Sequence, residues 1–157
     1  LDQSKASSKP VTVKVPYEQT SYAKQQEKVE KIKTRAEVLT SILVKNHPNG
    51  GKKFVIIPED ADLSLVSKKF GIPESKLMKW NELDGTQLRK NDVLFLESKS
   101  SSGNVASYKA KVGESMHDVS QKFGIKLSKL YSKNRMAYGE QPKAGQLIYL
   151  QEKKPRS

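Results

Sequence analysis

No cysteine occurs among the 157 residues, which excludes a disulfide framework and any thiolate metal site. The two histidines, His47 and His117, are not spaced as a metal-ligating pair and neither belongs to a nucleophile arrangement. No metal or other cofactor is expected. No unbroken apolar run exceeds the length of Phe54 to Ile57, far short of the roughly 18 residues a membrane-spanning helix needs. Arginine is scarce as well. Of 29 cations only Arg35, Arg89, Arg135 and Arg156 carry the guanidinium fork on which base and phosphate readers rely. The formal charge of 29 minus 17, or +12, favours an anionic partner. The lysines are scattered rather than striped, however, which reads as a solvated face and speaks against nucleic acid.

What the chain does have is 35% hydrophobic residues, enough for one mid-sized domain or two small ones, and an internal repeat. At a shift of 53 residues, Val66-Ser67-Lys68-Lys69-Phe70-Gly71-Ile72 answers to Val119-Ser120-Gln121-Lys122-Phe123-Gly124-Ile125. Ser75-Lys76-Leu77 answers to Ser128-Lys129-Leu130, and Asn81 to Asn134, so that ten positions in a 16-residue window are identical.

Each copy reads as strand, helix, helix, strand. In the second, Tyr108, Ala110 and Val112 alternate as a strand. Ser115 and Asp118 form a capping-box signal for a helix from Met116, whose inner face is Met116, Val119 and Phe123 and whose stop is Gly124. A second helix carries Leu127, Leu130 and Tyr131 to Asn134, and Gln146 to Leu150 closes the unit. The first copy repeats the plan: Val55 to Ile57 as strand, Asp62 as cap, Leu63, Val66 and Phe70 as inner face, Gly71 as stop, Pro73 opening the second helix, Leu77 and Trp80 following, and Val93 to Leu96 closing.

The expected organisation is an extended or disordered arm over 1–17, a helical segment over 18–50, a first unit over 54–97, a Ser-rich linker over 98–107, a second unit over 108–151 and a basic tail over 152–157. The eleven residues from Glu97 to Ser107, if flexible, span about 18 Å, and leave the units either side by side or independent. Val29, Ile32, Ala36, Leu39 and Leu43 give residues 18–45 a heptad-like stripe. That segment is an amphipathic helix packing on the first repeat, a contact for an envelope protein partner, or a decayed third repeat, since Ile42 to Asn46 echoes Leu130 to Asn134. Residue 1 is Leu, so a mature form or a fragment is expected, with any signal peptide, anchor or further domain upstream.

The pattern Tyr108-x-Ala110-x-x-Gly113-Glu114-Ser115-Met116-x-x-Val119-Ser120-x-x-Phe123-Gly124, followed by Leu130-x-x-x-Asn134 and Gly145-Gln146-Leu147-Ile148-Tyr149-Leu150, closely resembles the LysM module. The first copy resembles it from Leu63 onward and departs at its loop, with Asp60 where the family has Gly and Ala61 where it has Asp or Glu. The Gly-Glu-Ser-Met opening is most similar to the C-terminal tandem modules of Bacteroidetes glucosaminidases and amidases.

The resemblance implies an α+β fold of two βααβ modules that bind N-acetylglucosamine-containing glycans, peptidoglycan or chitin, without hydrolysing them. It places the protein in the cell envelope, periplasmic or extracellular. By analogy to the family's loops, the glycan-binding residues of the second module are Gly113, Glu114, Ser115, Met116, Asn134, Arg135, Met136, Ala137 and Tyr138. Those of the first are Asp60, Ala61, Asp62, Leu63, Asn81, Glu82, Leu83 and Asp84. Several of these have a structural reading beside the functional one: Gly113 for the turn, Ser115 for the helix cap, Asn81 and Asn134 for helix ends. Phe70, Phe123, Leu77 and Leu130 read as core, and Trp80 as a core cover or a sugar platform.

No catalytic arrangement is visible. Glu59, Asp60 and Asp62 cluster in an exposed turn, whereas glycosidases set two acids across a cleft, one of them with a raised pKa. The expectation is a non-enzymatic tether to the cell wall, two weak sites reinforcing each other on a repeating polymer. The alternative is an assembly protein that uses the repeats and the N-terminal helix for protein docking.

Overall fold

In the computed structural model, which describes residues 40–156, the plan strand, helix, helix, strand occurs twice. The first copy contains β2 (Lys53–Ile56), β3 (Ala61–Asp62), α1 (Leu63–Phe70), α2 (Glu74–Trp80), β4 (Gln87–Leu88) and β5 (Val93–Phe95), with β1 (Lys45–Asn46) before it. The second contains β6 (Ser107–Lys109), α3 (Met116–Phe123), α4 (Leu127–Lys133) and β7 (Leu147–Tyr149). This is the expected α+β architecture. Strands β1, β2 and β5 form an antiparallel sheet in that order, with Phe54 opposite both Lys45 and Phe95. Strands β6 and β7 pair antiparallel with Tyr108 opposite Ile148.

Local chemistry sets the helix ends. The Asp62 carboxylate accepts from Ser64 N at 2.9 Å to cap α1. Ser115 and Asp118 form the anticipated reciprocal capping box on α3. Both helices stop at a left-handed glycine, Gly71 and Gly124. The shorter α2 and α4 end at asparagines that are more than caps. Asn81 Nδ2 donates to Leu77 O and Phe95 O, and its Oδ1 accepts from Phe95 N at 2.7 Å. Asn134 repeats this with Leu130 O, Tyr149 O and Tyr149 N. Each amide thus ties a helix end to the closing strand, and each is buried.

Two small cores result. The second gathers Ala110, Met116, Val119, Ile125, Leu127, Leu130, Tyr131, Ile148 and Leu150. The first contains the equivalent Leu63, Val66 and Leu77 with Val55, Ile57, Leu88, Leu94 and Phe95. Among the described residues no helix is long and apolar enough to cross a membrane.

The 1–17 arm, and residues 18–39 of the expected helical segment, lie outside the described residues. Residues 40 and 41 are helical, but the reading of 18–45 as helix is corrected at its end: Lys45–Asn46 form a strand on β2. Pro48 disfavours helix in the residue before it, and Asn49-Gly50-Gly51 supplies the positive φ values of a tight turn, with φ 77° and 68° at the two glycines.

The stretch 98–107 is bonded along its length. Ser100 N donates to Gly124 O and Ser100 O accepts from Lys126 N, while Gly103 N donates to Leu150 O and Leu150 N to Ala106 O. Residues 41–157 accordingly cluster as one unit, with the two copies joined at a seam. Lys99, 2% exposed, donates from Nζ to the Glu82 carboxylate of the first copy and to Ser120 Oγ and Gln121 Oε1 of the second, the last two at 2.6 and 2.7 Å. Burial lowers its pKa and the Glu82 charge opposes that shift. Gln121 Nε2 donates to Asn81 Oδ1 and Val93 O, and His117 Nε2 to Asn81 O at 2.6 Å. On the far side His47 Nδ1 accepts from Asn49 N, which fixes the tautomer so that Nε2 donates to Lys122 O, while Asn49 Nδ2 reaches Ser102 O and Phe123 O. A cavity of about 810 Å³ opens along this seam, bordered by His47, Phe54, Leu83, Val93, His117 and Phe123.

Candidate glycan-binding loops

In the second copy one loop runs from β6 to α3 and the other from α4 to β7. Gly113 sits at the tip of the first at φ 77°, with open space where a Cβ would stand. Val112 beside it is 88% exposed. The Glu114 carboxylate is held within its own loop, accepting from Tyr108 Oη at 2.8 and 2.9 Å and from Lys111 N at 2.8 Å. Lys122 Nζ lies 3.0 Å from the same phenol and 4.5 Å from its ring centroid, and its pKa is raised chiefly by that hydrogen bond. Ser115 uses its oxygen on the helix cap, and the Met116 side chain is in the core.

On the second loop Asn134 is occupied by its clamp, Arg135 adopts φ 53° and donates from Nε to Lys154 O, and Met136 packs against the core. Ala137 N donates to the Glu140 carboxylate, which shapes the turn. Tyr138 is 71% exposed and rests on the Tyr131 ring, with centroids 5.0 Å apart. Each loop therefore presents one large exposed apolar side chain, Val112 and Tyr138. Exposed apolar surface flanked by polar backbone suits the alternating faces of a sugar.

The loops meet at a residue that the sequence reading passed over. Gln141 Oε1 accepts from Met116 N at 2.8 Å and its Nε2 donates to Gly139 O at 3.3 Å. Gln141 is exposed, and an open pocket of about 580 Å³ lies beside it, bordered by Met136, Lys143, Gly145, Gln146 and Lys154. The sequence holds no signal for this role. Gln141 sits in an aperiodic loop, 25 residues from its partner.

The first copy arranges the same positions differently. Its two loops are zipped by the β3–β4 ladder, Ala61 opposite Leu88 and Asp62 opposite Gln87. Leu63 N donates to Thr86 O at 2.7 Å, Thr86 Oγ1 to Asp62 Oδ2, and Lys90 N to Asp60 Oδ1. The hydrogen bond from Ser64 N is the main cause of a lowered Asp62 pKa. Asn81 and Glu82 face the seam, the Glu82 carboxylate receiving both Lys99 Nζ and Leu127 N, and Leu83 borders the seam cavity. Asp84 is exposed. The structure thus gathers Asp60, Ala61, Asp62 and Leu63 at a closed zipper, and uses Asn81 and Glu82 to seat the second copy. Trp80 is half-buried on α2. Among the described residues no group of three or more His, Asp or Glu side chains is placed to hold a metal ion.

The LysM domain family matches residues 55–96 and 108–150. No curated protein matches the chain. Among solved structures the chain is similar to the crystal structure of the Bacillus cereus spore cortex-lytic enzyme SleL, at 21% identity and a TM-score of 0.29, over 66% of this chain and 23% of that one. The chain spans about a quarter of that enzyme's length.

Proposed function

The chain belongs to the LysM domain family, with two modules in tandem, and from that premise we propose that it binds N-acetylglucosamine-containing glycan, peptidoglycan foremost, without hydrolysing it, and so tethers an attached domain or complex in the cell envelope. The binding surface is the pair of loops over 110–116 and 134–146. The observation that carries this reading is their openness. Both modules share one backbone pairing at the loop base, Ile57 with Asn91 and Asp92 in the first and Ala110 with Gly145 and Gln146 in the second. Beyond it the first module's loops are laddered together by backbone, while the second module's are bridged at the helix start by an exposed side chain, with Val112 and Tyr138 standing out on either loop. A sugar there finds backbone donors for its acetamido and hydroxyl groups and apolar surface for its methyl and ring faces. The charge of +12 adds long-range attraction to anionic wall polymers.

Co-sedimentation with insoluble peptidoglycan, with chitin alongside, tests the reading. Wild type is expected in the pellet on peptidoglycan, and Tyr138→Ala, which removes a largely exposed ring that touches the core through Tyr131, is expected to be retained roughly tenfold less, the effect of losing one stacked aromatic. Raising the salt weakens retention on the anionic wall and leaves binding to a neutral chitooligosaccharide nearly unchanged. Failure to sediment with either polymer overturns the reading in favour of a protein partner.

A further inference from the structure

We propose that Gln141 is a built-in stand-in for the ligand: its side-chain carboxamide occupies the Met116 amide of the second module and is displaced by the acetamido carbonyl of a bound glycan, whereas the first module has no displaceable group at that place and takes none. The inference rests on the proposed glycan binding and adds to it a residue, a ligand group and a stoichiometry.

The internal repeat supplies the comparison. Met116 and Leu63 are equivalent, each the first residue of its module's long helix, and each N–H lacks a partner within the helix. Leu63 N is satisfied across the loops by a main-chain carbonyl, Thr86 O at 2.7 Å, inside a ladder held further by Asp62 and Asp60. Opening it requires unzipping several backbone bonds together. Met116 N is satisfied by Gln141 Oε1 at 2.8 Å, at the end of an exposed side chain. Opening it requires only a change of rotamer.

The loop lengths differ in step with this. From the clamping asparagine to its strand partner is 14 residues in the first module and 15 in the second, so the second module's loop carries one residue more. The chemistry of the placeholder also matters. A glutamine carboxamide offers the same amide carbonyl acceptor as an N-acetyl group, and the space freed by its departure adjoins the open pocket bordered by Met136 and Gly145. A deacetylated sugar carries an ammonium or amine in place of that carbonyl and has nothing to offer the Met116 N–H. In the first module's other loop, Asn81 and Glu82 are likewise committed to the seam.

The test uses the full chain, wild type and Gln141→Ala, titrated with a chitin pentamer and with the glucosamine pentamer, followed by calorimetry and by amide resonances with hydrogen exchange. Without ligand, the Met116 amide is expected to be protected in wild type and to exchange faster in the variant, while Leu63 is protected in both. On adding the chitin pentamer the Met116 resonance shifts, Leu63 does not, and one pentamer binds per chain. Removing an internal competitor worth one net hydrogen bond is expected to tighten binding by roughly threefold to tenfold. The glucosamine pentamer does not shift Met116. Weaker or equal binding by Gln141→Ala, with wild type binding normally, overturns the stand-in role and leaves glycan binding in place. Two pentamers per chain, or a shift at Leu63, overturns the closed first module. No binding of the chitin pentamer by either protein overturns the glycan reading itself and this inference with it.

Discussion

Lys99 stands in a serine-rich stretch, yet its ammonium is enclosed by groups from both modules. A buried charge of this kind is tolerated only while its partners are in place, and removing one side leaves the other desolvated and unpaired. Lys99→Met is therefore expected to destabilise the fold by about 2–3 kcal/mol, toward the low end for a buried pair because the Glu82 side chain keeps 21% of its exposure. Adding Glu82→Gln should restore part of the loss. Urea unfolding of the two variants checks this, and a double variant less stable than the single would refute the pairing argument. At this scale the sequence was partly legible. Asn81 and Asn134 were recognisable as helix-end residues from the repeat, and the structure makes them strand clamps too. Lys99 was not recognisable, because nothing within the stretch itself distinguishes an enclosed lysine from a solvated one. Gln141 likewise acquires its meaning only from a loop folded back beside Met116.

Among the elements, helices were the most readable. Caps and stops act over three or four residues, so Ser115 with Asp118, and Gly71 and Gly124, announce their roles in the local sequence. Short strands such as β1, β3 and β4 depend on partners far along the chain and left little trace beyond the Asn49-Gly50-Gly51 turn. One cap also carries a pH dependence. Asp62 is held below its ordinary value of 3.8 by the Ser64 hydrogen bonds, so the unfolded chain binds more protons in that window. The stability it contributes is present above about pH 4 and is lost as the pH falls through the lowered folded value. Asp62→Asn keeps an oxygen for the cap and removes the titration. The gap in unfolding midpoint between wild type and this variant should therefore narrow between about pH 5 and about pH 2, and a gap independent of pH would count against the carboxylate's role.

For the molecule as a whole, the seam is what the repeat did not foretell. A duplicated pattern shows that two modules exist, while their contact depends on positions that differ between the copies, such as Gln121 where the first has Lys68 and His117 where it has Ser64. Two matched glycines isolate the contribution of the seam. Gly71 and Gly124 share φ values of 67° and 68°, but a Cβ at Gly71 meets nothing within 4 Å, whereas one at Gly124 comes within 3.3 Å of the His47 ring. Gly71→Ala should cost about 1 kcal/mol of left-handed strain, and Gly124→Ala at least about 1 kcal/mol more. Trp80 fluorescence, which reports the first module, and amide signals from the second should melt together in wild type. Equal costs for the two substitutions would mean that the seam yields freely. A further consequence of the seam concerns valence. On the proposed reading, with one module's loops closed and a single groove left open, the chain binds univalently despite its duplication. A univalent binder coats a polysaccharide mesh without stapling neighbouring strands, so it neither gels nor precipitates a soluble polymer. Its residence on a wall follows one dissociation step rather than hand-over-hand rebinding.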